Sequence, residues 1–188
     1  MKVVKTGLEG VCVIEPDTFR DGRGSFSETF SHRKFAEKVC DTIFVQDNES
    51  RSRYGVLRGL HYQLPPMAQS KLVRVVRGAI MDMAVDIRKG SPTFGKYFSY
   101  RLDERNAHQL FIPRGFAHGF VALEEDTVVA YKCDNHYSPG HEGTIAWNDP
   151  AIAIDWCVPA DHLIISDRDA KALPLNQVRV FDYGEKLY

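Results

Sequence analysis

Along most of the chain, apolar and polar residues alternate in short runs broken by glycine and proline. This is the pattern of half-buried strands rather than of helices. Residues 10–16 (GVCVIEP) form a short apolar run, read as an edge or pairing strand with no obvious partner of its own. Residues 17–24 (DTFRDGRG) read as a polar, glycine-rich turn, and residues 25–30 (SFSETF) alternate strictly, with Phe26, Glu28 and Phe30 on one face. Ser31 then stands as a helix N-cap with Phe30 and Phe35 at the hydrophobic-staple positions, so a helix is expected to about Cys40. Strand-like runs follow at 43–52, 55–63, 71–76, 79–87, 96–102, 109–113, 116–123 and 127–133. Glu124-Glu125-Asp126 reads as a solvated hairpin tip, and a short helix is expected from Asp167 before Pro174. Short strands at even spacing predict a mainly β chain, a two-sheet jelly roll. One domain over 1–188 is expected, with a tail from about residue 170 packing on it.

The same alternation sorts polar residues by face. Lys71 shares a face with Val73 and Val75, Tyr131 with Val129 and Cys133, and His118 with Phe116 and Phe120. An inward lysine is costly to bury unless its charge is used; otherwise it snorkels to water at a strand end. Taken alone, Tyr131 and His118 each read first as hydrogen-bonded core residues. Strict alternation puts Arg58 and His61 on opposite faces, whereas a bulge at Gly59 brings both into one pocket. The inward set of a base (His61), a cation (Lys71) and a phenol (Tyr131) suits proton abstraction beside a carbonyl. The resulting enolate needs a positive donor at its oxygen, and a second group must return a proton from the other face.

Composition narrows the classes. With 44% hydrophobic and 26% charged residues, the chain is an ordinary globular one. A formal charge of -1 argues against a general nucleic-acid or membrane-surface binder, while leaving room for a local basic site. No apolar run approaches the ~20 residues of a membrane span, and no signal peptide precedes the first strand. The four cysteines lack C-x-x-C spacing and read as reduced thiols of a cytoplasmic protein.

Two motifs resemble the pair that marks the cupin superfamily of double-sheet barrels: Gly55 through His61-x-Gln63, and Pro113-x-Gly-x-x-His118. Metal-binding cupins carry His-x-His and a following glutamate in the first motif; here Gln63 replaces the second histidine and residues 64–68 supply no glutamate. A metal site wants three or four such ligands, so none is expected. Within that superfamily the chain is identified as a member of the dTDP-4-dehydrorhamnose 3,5-epimerase family, over residues 10–168. The resemblance rests on an ordered set of motifs. These are Phe19-Arg-Asp-Gly-Arg-Gly24, Gln46-Asp47-Asn48, Val56-Leu-Arg-Gly-Leu-His61, Lys71-Leu-Val73, Pro113 to His118, Tyr131-Lys132, Tyr137-x-Pro-x-x-Glu142, Trp147-x-Asp-Pro150 and Ser166-Asp-Arg-Asp169.

The resemblance implies a cupin-like double-stranded β-helix barrel and a cofactor-independent epimerase serving rhamnose supply. His61 is implied as the base at C3 and C5, Asp167 as its carboxylate partner, Lys71 as stabiliser of the enolate oxygen and Tyr131 as the acid on the opposite face. Arg23, Arg58 and Arg168 are implied as diphosphate ligands, with one arginine arriving from a second subunit of a homodimer. Phe19 and Phe26 fall at substrate-binding positions, and Glu28, Gln46, Asp47 and Asn48 at the positions that contact the nucleoside. Tyr137 is implied to stack on thymine, and His118 and Glu142 to line the sugar pocket. Without the resemblance, Glu28 and Asp47 read as solvated strand carboxylates. The rival readings are a C3-only epimerase of a related nucleotide-linked keto sugar, a metal-dependent oxygenase of the same superfamily and a non-enzymatic sugar-nucleotide binder.

Overall fold

A computed structural model describes residues 1–188. The first half carries β1 (Lys2–Lys5), β2 (Cys12–Glu15), β3 (Thr18–Asp21), β4 (Gly24–Ser27), α1 (His32–Lys38), β5 (Gln46–Ser52), β6 (Val56–Gln63), β7 (Lys71–Arg77) and β8 (Ala79–Asp86). The second half carries β9 (Arg88–Lys89), β10 (Tyr97–Asp103), β11 (Gln109–Ile112), β12 (Phe116–Ala122), β13 (Thr127–Cys133), β14 (Glu142–Thr144), β15 (Ile164–Ile165), α2 (Asp167–Ala170) and β16 (Phe181–Asp182). One sheet runs β1-β2-β11-β7-β13-β5, and the other runs β10-β8-β12-β6-β14 with β15 alongside β6. The two-sheet β architecture expected from the alternation is the one observed.

Three apolar clusters hold the layers. Between the sheets, Val13, Val73, Val75, Leu110, Ile112 and Val129 of the first meet Ile80, Ala84, Leu102, Phe116 and Phe120 of the second. The outer face of the second sheet, through Leu57, Leu60, Met83, Val85, Ala117 and Val121, is covered by Ile145, Ile152, Trp156, Leu175 and Phe181 of the C-terminal third. The outer face of the first sheet, through Cys12, Ile14, Leu72 and Phe111, receives Phe35 of α1. A fully buried side chain of this size is worth about 1.5–3 kcal/mol, so the layers on either side hold the sheets as firmly as the inter-sheet core does.

Three local expectations change. The run 10–16 has partners within its own chain, since β2 pairs with β1 on one side and β11 on the other. The turn 17–24 and the start of 25–30 fold into a two-stranded ribbon, β3 with β4, which carries Phe19 opposite Phe26 with both rings in solvent, 65% and 70% exposed. Alternation therefore stops at Ser27, and Glu28 leaves the strand to pair with Lys34 at 2.7 Å. Ser31 is extended as an N-cap should be, but its hydroxyl makes no cap bond. The staple supplies the packing instead, with Phe30 and Phe35 rings 5.8 Å apart.

Candidate active site

The barrel is filled by the inter-sheet cluster at one end and open at the other, where a cavity of about 810 Å³ remains. Its wall is built by strand alternation from both sheets. From the first sheet come Gln46, Asn48 and Ser50 of β5, Lys71 at the head of β7, and Tyr131 and Cys133 of β13. From the second come Arg58, His61 and Gln63 of β6 and His118 and Phe120 of β12. The base and the phenol therefore stand on facing sheets.

Arg58 and His61 share the cavity because β6 carries an extra residue. His118 pairs with His61 and Phe120 with Arg58, so two residues of β12 match three of β6. The shift falls at Gly59, whose φ is +139°. A Cβ there would lie 2.5 Å from the Cα of Gly119, so only glycine fits against the neighbouring backbone. Leu57, Leu60 and Tyr62 consequently point outward into the cluster beneath the C-terminal third, and the inward phase resumes at His61.

The partner of His61 is Asp169. Its Oδ1 lies 2.8 Å from His61 Nε2, and its Oδ2 accepts from the Gly59 amide at 3.4 Å. Asp167, implied above for this role, is exposed. The two aspartates stand two residues apart on α2, roughly 200° around the helix, so only one can face the barrel. Ser166 caps α2 by accepting from the Asp169 amide at 3.1 Å, which places Asp169 on the inward side. A Ser-x-x-Asp capping pattern at 166–169 was the available signal. Burial raises the Asp169 pKa, but the His61 hydrogen bond and charge, the Gly59 amide and Arg168 outweigh it, holding the carboxyl below its ordinary value.

Arg168 crosses the mouth of the site. It donates to Glu142 Oε2 at 2.7 Å, and its other terminal nitrogen lies 2.7 Å from His61 Nε2. One ring nitrogen cannot both donate to Asp169 and accept from Arg168. Asp169 is buried, with only long bonds from the Gly59 amide and from Arg168 Nε at 3.4 Å besides, whereas Arg168 has Glu142 at 2.7 Å; the Nε2–H tautomer directed at Asp169 is therefore favoured. The other nitrogen, Nδ1, is then the free base.

Lys71 is half-buried, and its Nζ donates to Gln69 Oε1 at 3.2 Å. Burial pushes its pKa down, against weaker opposing effects from Cys133, Asp134 and Glu142. The Tyr131 phenol is pushed up by burial and by Cys133 and Glu142, with Arg58 opposing. It thus keeps its proton at neutral pH until a strong base meets it. Glu142 also accepts from Tyr137 at 3.0 Å, and Tyr137 is tied by its amide to Gln46 Oε1 at 3.0 Å. His61, Lys71, Tyr131, Arg58, His118, Gln46, Asn48, Tyr137, Glu142 and Arg168 are thereby gathered around one cavity.

Others are not. Asp47 falls on the outer face of β5, between Gln46 and Asn48, and pairs with Lys132 at 2.9 Å. Glu28 is held by Lys34. Phe19, Arg23 and Phe26 lie on the exposed ribbon, where Arg23 pairs with Asp21 at 2.6 Å. Within one chain, none of these six, Asp167 included, lines the cavity.

The sequence reading missed Asp82, which lies behind the wall, and the role of Gln63. Asp82 is fully buried on β8, and its Oδ1 lies 2.6 Å from His118 Nε2 while Oδ2 has no hydrogen-bond partner. Burial pushes its carboxyl up, partly offset by His118 and the Met83 amide. Alternation along 79–87 places Asp82 inward with Ile80 and Ala84, which would have found it. Gln63, where a metal-binding relative carries its second histidine, donates to Met67 and His136 carbonyls at 2.6 and 3.1 Å and accepts from the Ser138 amide at 2.8 Å. Its carboxamide thus clamps two loops at the mouth.

The model of the family described as dTDP-4-dehydrorhamnose 3,5-epimerase matches residues 5–177. The epimerase of that name from Methanothermobacter thermautotrophicus is 48% identical over 181 residues, 96% of this chain and 97% of its own. The crystal structure of dTDP-6-deoxy-D-glucose-3,5-epimerase from Legionella pneumophila in complex with dTDP-4-keto-L-rhamnose superposes with a TM-score of 0.94 at 42% identity, covering 98% of this chain and 99% of that one. A 3'-monoepimerase from Streptomyces bikiniensis in complex with dTDP-quinovose gives a TM-score of 0.86 at 33% identity, over 92% of this chain and 87% of that one. The chain belongs to the dTDP-4-dehydrorhamnose 3,5-epimerase family.

Proposed function

We propose that the protein converts dTDP-4-dehydro-6-deoxy-D-glucose to dTDP-4-dehydro-L-rhamnose through an enolate, inverting C3 and C5 in turn. The observation that carries this reading is the placement of a carboxylate-backed histidine and a phenol on opposite walls of one cavity, with a lysine beside the phenol. The C4 ketone acidifies the hydrogens at C3 and C5. His61 Nδ1 takes one of them, Asp169 holds the ring and stabilises the imidazolium, and the electron pair moves to the C4 oxygen, where Lys71 donates. The pair then returns to the carbon, which takes the Tyr131 proton from the other face. His61 loses its proton and Tyr131 regains one through solvent before the second centre reacts.

Arg58 and Arg168 suit the diphosphate, since guanidinium forks match phosphate oxygens and stay charged. Drawing Arg168 to phosphate also removes it from His61 Nε2. Arg23, Phe19 and Phe26 fit the same substrate only if the ribbon enters the cavity of a second copy, so a homodimer is part of this reading. Its test is co-expression of Arg23→Ala with His61→Asn. Mixed dimers would then contain one complete cavity and regain turnover, and a mixed dimer that stays inactive would remove the ribbon from the site.

The reaction is tested by proton NMR with the substrate in deuterated water. Loss of both C3 and C5 protons, with L-rhamnose formed once the matching reductase and NADPH are added, is expected. Exchange at C3 alone would make the protein a monoepimerase, and exchange at neither would refute the assignment.

A further inference from the structure

The one hydrogen-bond partner of the Lys71 ammonium is neutral. Nζ donates to Oε1 of Gln69 at 3.2 Å, while Asp134 and Glu142 act on it only from a distance. The Gln69 carboxamide cannot turn freely, because its Nε2 donates to the Asn135 carbonyl at 2.7 Å. Exchanging its two ends would set an amide against an ammonium and a carbonyl against a carbonyl, so oxygen must face the lysine. The backbone beneath is pinned as well. The Ser70 amide donates to Asp134 Oδ1 at 2.6 Å, and Asn135 Nδ2 reaches back to the Pro66 and Ala68 carbonyls at 3.3 and 3.4 Å.

We propose that Gln69 is the positioning residue for Lys71: its carboxamide oxygen, fixed by the Asn135 carbonyl, aims the ammonium into the cavity without pairing it to a counter-charge. The inference rests on the reading of Lys71 as donor to the enolate oxygen. A carboxylate at this place would hold the lysine charged, yet would cancel its field where the substrate oxygen needs it. An amide directs one N–H and leaves the net charge intact. No hydrogen bond joins Nζ to any other titratable group on the wall. Those groups are Tyr131 and Cys133 of β13, Tyr137, Glu142 of β14, Arg58, His61 and Tyr62 of β6, His118 of β12, and Arg168 and Asp169 of α2, with Asp134 acting from behind the wall. Changing residue 69 therefore alters the one direct partner and leaves the remaining field as it was.

The test is the pH profile of turnover for Gln69→Leu and Gln69→Glu, with melting temperatures measured alongside and Gln69→Met replacing Gln69→Leu if the latter does not fold. Gln69→Leu should lower kcat about tenfold, the worth of one hydrogen bond to a charged group, with KM within about twofold. Its alkaline limb should move to lower pH, because the ammonium has lost its acceptor. Gln69→Glu should also lower kcat at neutral pH, but should move the same limb to higher pH. A merely structural role cannot displace one limb in opposite directions. Any other result overturns the proposal, including two variants with reduced kcat and an unmoved limb. Lys71→Met, run in parallel, separates the two levels. If it abolishes turnover while the Gln69 variants behave like the unaltered protein, the role of Gln69 fails and that of Lys71 stands. If Lys71→Met turns over normally, both fall.

Discussion

Asp169→Asn is the substitution that asks most of the proposed chemistry. It preserves volume at a buried site and removes one charge 2.8 Å from His61 Nε2. If the amide oxygen still accepts from Nε2–H, the loss is that of a charge-assisted hydrogen bond to a forming imidazolium, about 1.5–3 kcal/mol, or about 10- to 150-fold in kcat. If the amide nitrogen turns to His61 instead, the ring is held as the Nδ1–H tautomer, and a proton rather than a lone pair faces C3 and C5. The same carboxylate-to-amide change in a Ser-His-Asp triad lowers kcat by about 10⁴ through the wrong tautomer. A fall between these limits is expected, read as the rate of C3 deuterium uptake at saturating substrate. The comparison is Asp167→Asn, an exposed change on the far side of the same helical turn, expected to stay within about twofold. Asp169→Asn with full activity, or Asp167→Asn with none, would refute the assignment of the partner and the derivation of the free Nδ1.

Tyr131→Phe should uncouple exchange from inversion: deuterium still enters at C3 through His61, while formation of the L-rhamno product falls by about 10²-fold or more, as chiral analysis after reduction would show. Gly59→Ala drives a methyl against the Gly119 backbone at a positive φ, and should cost about 2–4 kcal/mol, lowering the melting temperature by about 4–16 °C. Lys71→Met should abolish turnover yet raise the melting temperature at neutral pH by about 2–4 °C, or about 1 kcal/mol. The sign follows from the depressed pKa. The folded state binds fewer protons than the unfolded state between the folded value and the ordinary lysine value, so stability rises with pH across that window. The penalty is therefore fully present at neutral pH if the folded value lies above it, and calorimetry from pH 7 to 10 should show the gain of Lys71→Met shrinking upward.

What was legible in the sequence is what one strand says about itself. Period-two alternation places Lys71, Tyr131 and His118 inward, and Gly59 marks where Arg58 and His61 can share a face. What a strand cannot say is which distant residue arrives opposite it. Asp169 reaches His61 across 108 positions of chain, and the choice between it and Asp167 turns on a cap four residues long. The apolar run 10–16 shows no partner in the sequence for the same reason, since its neighbour β11 lies almost a hundred residues on. Asp47 was misplaced by reading Gln46-Asp47-Asn48 as a block, when alternate residues of a strand must face opposite ways.

The extra residue at Gly59 means that strand β6 stores information in its length as well as in its letters. Upstream of it the odd-numbered position Leu57 points outward, and downstream the odd-numbered His61 points inward. Pairing the same residues regularly with β12, without the bulge, would keep every proposed catalytic side chain in the chain, yet would put the two halves of the strand in a single phase. Either Arg58 would be turned into the oily layer beneath the C-terminal third, or His61 would be. Spacing here is thus inherited under a constraint of its own, and a related sequence with all the expected residues but no room for the bulge at this glycine would be an empty barrel wearing the right spelling.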